Sequence, residues 1–221
     1  MSAVSEQHIS PTTTVAVGGF TSNSGKTTLV CELLRALPGW EAIKQTRGHY
    51  RSCGKDAHAC CVSHLLGDEP VLRSGRAETY APGKDTGRYW DAGAANVHWL
   101  IATDGQVAEG IRRALARVRA PGVLVEGNSF WPHVRVDFAI MAVPRVVDRI
   151  KPTARRALAR TDALYLFTAE SDDEAAARAR FAAWCAEAQD GERLRRIPVY
   201  TRSGLPALVG RVRALEETGL V

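Results

Sequence analysis

Three observations predict an α/β chain, doubly wound, with a mostly parallel sheet covered by helices on both faces. Short β-branched and apolar runs alternate with helical patterns of ten or more residues, the signature of parallel strands joined by crossover helices. The first run leads through a Gly/Ser-rich turn directly into a helix. The 221 residues are 45% hydrophobic and 24% charged, ordinary globular usage that supports a full core without disulfide staples and excludes wholesale disorder.

Residues 1–12 carry no periodicity and read as a flexible tail before a single domain over 13–221. A strand over 13–18 stops at Gly18-Gly19, and from Lys26 onward Leu29, Leu33, Leu34 and Leu37 recur at helical steps until Pro38-Gly39 ends the helix. A short strand at 40–44 follows. Between 46 and 82 the alternation breaks: three cysteines, three histidines and several glycines accompany a helical pattern only at 56–66, which reads as a functional insertion. Order resumes with a helix over 85–95, a strand over 97–102, a helix over 106–118 and a strand over 122–125. Strands at 138–143 and 163–167 bracket a basic helical stretch, and a helix over 172–188, a strand over 197–200 and a helix over 205–217 close the chain.

The charge balance bounds the partners. Net +5 suits phosphate-bearing ligands but is too small an excess to argue for nucleic acid. No apolar run approaches the roughly 18–20 residues of a membrane span, and the polar residues 1–11 carry no signal-peptide pattern. Five cysteines, an odd number, read as reduced thiols in a cytoplasmic protein, with Cys31 and Cys185 on helical patterns as core residues.

The sharpest motif is Gly19-Phe20-Thr21-Ser22-Asn23-Ser24-Gly25-Lys26-Thr27-Thr28, placed between the first strand and the first helix. Small residues there let successive main-chain N–H groups meet phosphate oxygens at the positive end of a helix. In such a P-loop Lys26 reaches the β- and γ-phosphates and the Thr27 hydroxyl ligates Mg²⁺. Gly19, Asn23, Ser24, Gly25 and Thr28 complete the phosphate-binding set. Five residues separate Gly19 from Gly25 where four are usual, so either Phe20 stands in the first glycine's place or the loop carries one extra residue. A second acid follows from position: Glu126 ends the apolar strand Gly122-Val123-Leu124-Val125, where a carboxylate can hold the Mg²⁺ shell.

The P-loop, Ala42-Ile43-Lys44, Pro82-Gly83-Lys84-Asp85-Thr86, Asp91-Ala92-Gly93-Ala94 and Leu124-Val125-Glu126-Gly127 occur in that order. This collinear set, over about the first 127 residues, resembles the molybdopterin-guanine dinucleotide biosynthesis protein B (MobB-like) family of P-loop nucleotide-binding proteins. The resemblance implies a P-loop NTPase fold, binding and slow hydrolysis of a nucleoside triphosphate with Mg²⁺, a homodimer, and a part in molybdenum-cofactor maturation beside a maturation enzyme. It places Lys44, Asp85 and Arg88 near the phosphate and metal site, with Asp85 joining Lys26 and Glu126 as the catalytic set. Gln45, Thr46 and Arg47 stand where that family carries histidine, and the Pro-Gly-Lys-Asp segment is displaced by the insertion. Asp85 serves equally well as a helix N-cap.

Two further clusters carry chemistry. Cys53, His58, Cys60, Cys61 and His64 fall within twelve residues; on a helix Cys60 and His64 share a face, as do His58 and Cys61, and Cys53 could complete a zinc site. Read blandly, the cysteines are small buried hydrophobes. Arg145, Arg149, Lys151, Arg155, Arg156 and Arg160 form either a phosphate-clamping lid or a solvated helical face. The loop Asn128-Ser129-Phe130-Trp131-Pro132-His133, just past Glu126, could bind a second ligand or simply pack. No Asn-Lys-x-Asp guanine-reading motif occurs, so ATP and GTP both remain open. The leading function is a nucleotide-binding NTPase. A small-molecule kinase using the same loop is the alternative, and a metal-binding adaptor is the third.

Overall fold

Thr13–Gly19 is buried along its whole length and forms β1, the centre of the sheet. The computed structural model describes residues 12–48, 62–168 and 173–218, so the tail, bar its last residue, lies outside the described residues. After β1 come α1 (Lys26–Ala36), β2 (Glu41–Arg47), β3 (Val71–Ser74), α2 (Arg76–Thr79), α3 (Asp85–Asp91), β4 (Val97–Ala102), α4 (Val107–Leu115) and β5 (Gly122–Glu126). Then follow β6 (Phe138–Val143), α5 (Pro152–Leu158), β7 (Ala163–Leu166), α6 (Glu174–Glu187), α7 (Gly191–Arg195), β8 (Val199–Tyr200) and α8 (Leu205–Thr218).

The strands form one sheet in the order β3-β4-β2-β5-β1-β6-β7-β8. Every neighbouring pair is parallel except β3–β4. The period-2 alternation of strands divides the core between two faces. Ala16, Ile43, Val125 and Met141 pack with Ile111 of α4, Ala154 of α5 and Phe181 of α6. Val15, Val17, Ala42 and Leu124 pack with Leu29 and Leu33 of α1 and Val209 of α8. Apolar side chains on both faces explain why these strands read as continuous hydrophobic runs. The doubly wound, mostly parallel sheet is thus the architecture of the chain.

The register sets the site. Val17 stands opposite Glu126, and Glu126 in turn stands opposite Lys44. The tips of β1, β5 and β2 therefore meet at one edge of the sheet, the carboxyl edge, where α/β proteins bind ligands.

Some boundaries differ from the sequence expectation, each for a physical reason. The helix expected over 85–95 ends at Asp91 because Gly93 takes φ +92°, a left-handed helix terminator. The span 46–82 shows little strand signal in the sequence, yet Val71–Ser74 pairs antiparallel with β4 as an edge strand. Its four half-buried residues carry no apolar run from which a strand could be read. The helical pattern at 56–66 lies largely outside the described residues, and Ser63–Leu65 is a single 3₁₀ turn. β2 runs three residues past Lys44, which carries Gln45 and Arg47 into the sheet. Among the described residues no helix is long and apolar enough to cross a membrane.

Candidate functional site

The turn from β1 into α1 is built around a buried phenyl ring. Phe20 is fully buried against Phe181 and Trp184, with ring centroids 6.5 and 6.1 Å away. Its main chain is held on both sides: Phe20 N–H donates to the Ala142 carbonyl at 3.1 Å, and its carbonyl accepts from Lys151 N–H at 3.0 Å. Gly19, just before it, closes β1 with its N–H donated to Asn128 Oδ1 and its carbonyl accepting from Asn128 Nδ2, both at 2.9 Å. The free loop therefore begins after Phe20 and holds four residues before Gly25. Phe20 stands in the place of the first glycine, and the extra-residue alternative falls away. A Cβ on Gly19 would lie 1.9 Å from Ser24 Oγ, so the loop folds tightly back over the strand end.

Gly25 enters the helix at φ +81°, and a Cβ there would meet the Phe167 ring at 2.4 Å. Only glycine fits both demands. A hydrogen-bonded turn closes over Ser22 and Asn23, and among the described residues no main-chain N–H of residues 25–28 has a hydrogen-bond partner; the first bond of the helix is Leu29 N–H to the Gly25 carbonyl at 3.0 Å. These are the unsatisfied donors that make a helix start an anion site. Lys26 Nζ folds back onto the loop, donating to the Thr21 carbonyl at 2.9 Å and the Ser22 carbonyl at 3.3 Å. Burial lowers the pKa of this ammonium to about 8, with Lys44 and Lys151 pushing the same way and Glu126 opposing.

Facing the loop is a buried charge cluster. Glu126 is 2% exposed and accepts from three donors: the Thr27 hydroxyl at 2.9 Å, the Lys44 ammonium and the Tyr89 phenol. Lys44 also pairs with Asp85 at 2.5 Å. Burial works against the Lys44 ammonium, but Glu126 and Asp85 outweigh it and hold its pKa above the usual lysine value. Asp85 is likewise disfavoured by burial, yet Lys44 brings its carboxyl below the usual range. Asp85 is the first residue of α3 and Lys84 is the cap position, without a side-chain cap bond, so Asp85 faces the cluster instead of capping the helix. Arg88, one turn further on, donates to Thr28 Oγ1 at 3.2 Å. Burial, reinforced by Glu126, lifts the Tyr89 pKa well above its ordinary value and keeps the phenol a donor.

All of this borders an open cleft of about 780 Å³, into which Lys26, Thr27, Lys44, Asp85, Arg88 and Glu126 project. Lysine and arginine outnumber carboxylates around it, since Arg47 and Lys151 line it as well. The donor set fits Mg²⁺. Two adjacent ligands of an octahedral ion at about 2.1 Å stand roughly 3 Å apart, and Thr27 Oγ1 and Glu126 Oε2 are hard oxygens 2.9 Å apart.

The structure brings Asn23, Ser24, Gly25, Lys26, Thr27, Thr28, Lys44, Asp85, Arg88 and Glu126 together, with Gly19 immediately behind them. Cys53, His58, Cys60 and Cys61 lie outside the described residues, and His64 is exposed in the 3₁₀ turn. Among the described residues no group of three or more His, Cys, Asp or Glu could hold a metal. The basic stretch divides. Lys151 reaches Ser22 Oγ, whereas Arg155 pairs with Asp190 at 3.0 Å and Arg160 donates to the Trp131 carbonyl. Thr201 and Ser203, beyond the last strand, are both tied to the Glu174 carboxylate. Sequence reasoning missed Tyr89, whose role depends on the α3–β5 approach. It also missed the clasp of Asn128, although the Asn128 loop itself had been singled out by its position past Glu126.

No protein-family model matches the chain, and no curated protein matches it in sequence. Among solved structures the chain is similar to one described as an "apo" form of LpxK from Aquifex aeolicus in complex with ATP. The identity is 20% and the TM-score 0.42, over 71% of this chain and 48% of that one. The chain thus spans about half the length of the protein it matches.

Proposed function

We propose that the chain binds a nucleoside triphosphate, ATP or GTP, together with Mg²⁺ in the cleft at the carboxyl edge of the sheet, and hydrolyses it slowly. The observation that carries this reading is the run of unpartnered N–H groups at residues 25–28, set beside the Lys26 ammonium and the Thr27–Glu126 oxygen pair. Thr27 and Glu126 would hold the ion, which supplies charge neutralisation at the β- and γ-oxygens. Lys26 leaves the loop carbonyls for the phosphates. Lys44 stands between the Glu126 and Asp85 carboxyls and screens them from one another, while Arg88 and Lys151 add positive charge at the rim. Catalysis here is electrostatic positioning, in keeping with slow turnover. The ordered motifs shared with the MobB-like family support a role of the same kind in cofactor maturation, with a homodimer and a maturation enzyme as partner.

The test is a calorimetric titration with AMP-PNP and Mg²⁺ followed by a phosphate-release assay. Tight binding lost in Lys26→Ala, with slow turnover independent of added metabolites, supports the reading. Unchanged affinity in Lys26→Ala defeats it.

A kinase is the second reading, favoured because the cleft continues past Asn128 and Ser129 into a further lobe. Strong stimulation by one metabolite, with a phosphorylated product, would select it over plain hydrolysis.

A further inference from the structure

The nucleotide reading gives Thr27 and Lys44 a part at Glu126 and leaves the third donor, the Tyr89 phenol, without one. Tyr89 is fully buried on the face of the core that holds α1, and unlike Thr27, Lys44 and Glu126 it does not line the cleft. The short helix that carries it, α3, is fixed on either side of it. Cys31 Sγ of α1 donates to the Arg88 carbonyl at 3.5 Å, and Trp90 Nε1 donates to Thr79 Oγ1 at 2.8 Å. Gly87 lets α3 lie against the segment before it, since a Cβ there would stand 2.0 Å from the Ala81 carbonyl oxygen. The phenol thus reaches the tip of β5 from a fixed base, behind the groups that line the cleft.

Which Glu126 oxygen the phenol holds decides what it does. Oε1 accepts from Lys44, whereas Oε2 accepts from both the phenol and Thr27 Oγ1. Oε2 and Thr27 Oγ1 are the two oxygens whose spacing fits a divalent ion, and in the free protein the Thr27 hydroxyl hydrogen lies between them. That hydrogen has a second acceptor, the Asp85 carboxylate, to which the Thr27 side chain also bonds. When Thr27 donates to Asp85 instead, Oε2 keeps one protein donor, Tyr89. The last torsion of a glutamate is soft and roughly two-fold, so a carboxylate held by Lys44 alone swings about it. A carboxylate held at both oxygens stays aimed, and the lone pairs left on Oε2 remain open to an ion.

We infer that Tyr89 is a positioning residue for the divalent ion: its hydroxyl holds Glu126 Oε2 toward Thr27 while the Thr27 hydroxyl donates to Asp85. The inference rests on the proposed nucleotide site and deepens it by naming the group that aims its metal-binding carboxylate.

The experiment measures AMP-PNP affinity of the full chain by calorimetry in two conditions, with Mn²⁺, which takes the same oxygen ligands as Mg²⁺, and in EDTA. The parent chain is expected to bind more tightly with Mn²⁺. Tyr89→Phe, which removes the hydroxyl and keeps the ring, is expected to weaken binding with Mn²⁺ about tenfold and to leave the affinity in EDTA unchanged. Placed on Glu126→Gln, the same change is expected to have no further effect, because the phenol acts through that carboxylate. Three results would overturn the inference and leave the nucleotide reading standing. They are no loss in Tyr89→Phe, an equal loss in both conditions, as from a phenol that only packs, and a full tenfold loss that persists on Glu126→Gln. A parent chain that binds AMP-PNP in neither condition removes the nucleotide reading and this inference with it.

Discussion

The Lys26 ammonium is held by the carbonyls of the loop it belongs to, and it is the group an incoming polyphosphate would draw away. Replacing it removes charge-assisted bonds that alone contribute about 1.5–3 kcal/mol each. Lys26→Ala is therefore expected to weaken triphosphate binding about 100-fold, roughly 2.7 kcal/mol, as read by calorimetry. The same side chain gives the binding a pH dependence. In the free protein burial brings its pKa to about 8, so the ammonium is present below that pH and is lost as pH rises through it. A bound anion favours the charged form and raises the pKa. Affinity is then flat on the acid side of pH 8 and falls above it, and binding near that pH takes up a proton. Calorimetry in buffers of different ionisation enthalpy measures this directly, and a flat affinity with no proton uptake would contradict it. Gln45, on the same strand as Lys44, shows how far a sequence can mislead at this scale. In the sequence it stands only where the resembled family carries histidine, and the fold alone shows its amide buried with one end unmatched.

Elements are tied together by polar links as well as by the core. At the amino edge of the sheet His98 of β4 bonds Glu41 of β2 through Nε2 at 2.7 Å and Ser74 of β3 through Nδ1 at 2.8 Å. The other Glu41 oxygen accepts from the Arg119 and Ala120 N–H groups. Burial alone would raise the Glu41 pKa, but the bonds from His98 and these N–H groups outweigh it and hold the carboxyl below its usual value. A depressed carboxyl pKa adds stability that is complete above the unfolded value and is lost as pH falls through the folded one. Glu41→Ala is expected to cost about 2–4 kcal/mol near neutrality, since it strands a buried imidazole and two main-chain donors. It should also flatten the acid limb of the stability profile in chemical denaturation. A loss below about 0.5 kcal/mol would show the network to be ornamental. Most elements were legible because strands buried on both faces and helices with one apolar stripe differ in period, as β4 over 97–102 and β6 over 138–143 illustrate. β3 and α7 were not, since four or five residues carry too little periodicity to declare themselves. In the site, Lys26, Thr27 and Glu126 were readable because each lies at a strand–loop–helix junction. Tyr89 and the Asn128 clasp depend on tertiary approach between distant segments, which no local pattern encodes.

For the whole molecule, the proposed ligand site lies where two separately packed faces meet at the carboxyl edge of the sheet, eight-stranded among the described residues. Binding there stabilises the folded state as a unit by mass action. A triphosphate at 100 times its dissociation constant is expected to add about 2.7 kcal/mol, which for a chain of this size raises Tm by roughly 5–10 °C. A thermal scan with AMP-PNP and Mg²⁺ checks this, with the gain in Lys26→Ala expected to fall to about 0.4 kcal/mol. The most direct test of the central claim is an NMR titration of the full chain with inorganic tripolyphosphate, following the main-chain amides of residues 25–28. The account predicts that these resonances move downfield together and saturate, ahead of amides elsewhere in the sheet. Saturable binding that leaves them in place, or no binding at all, would contradict it.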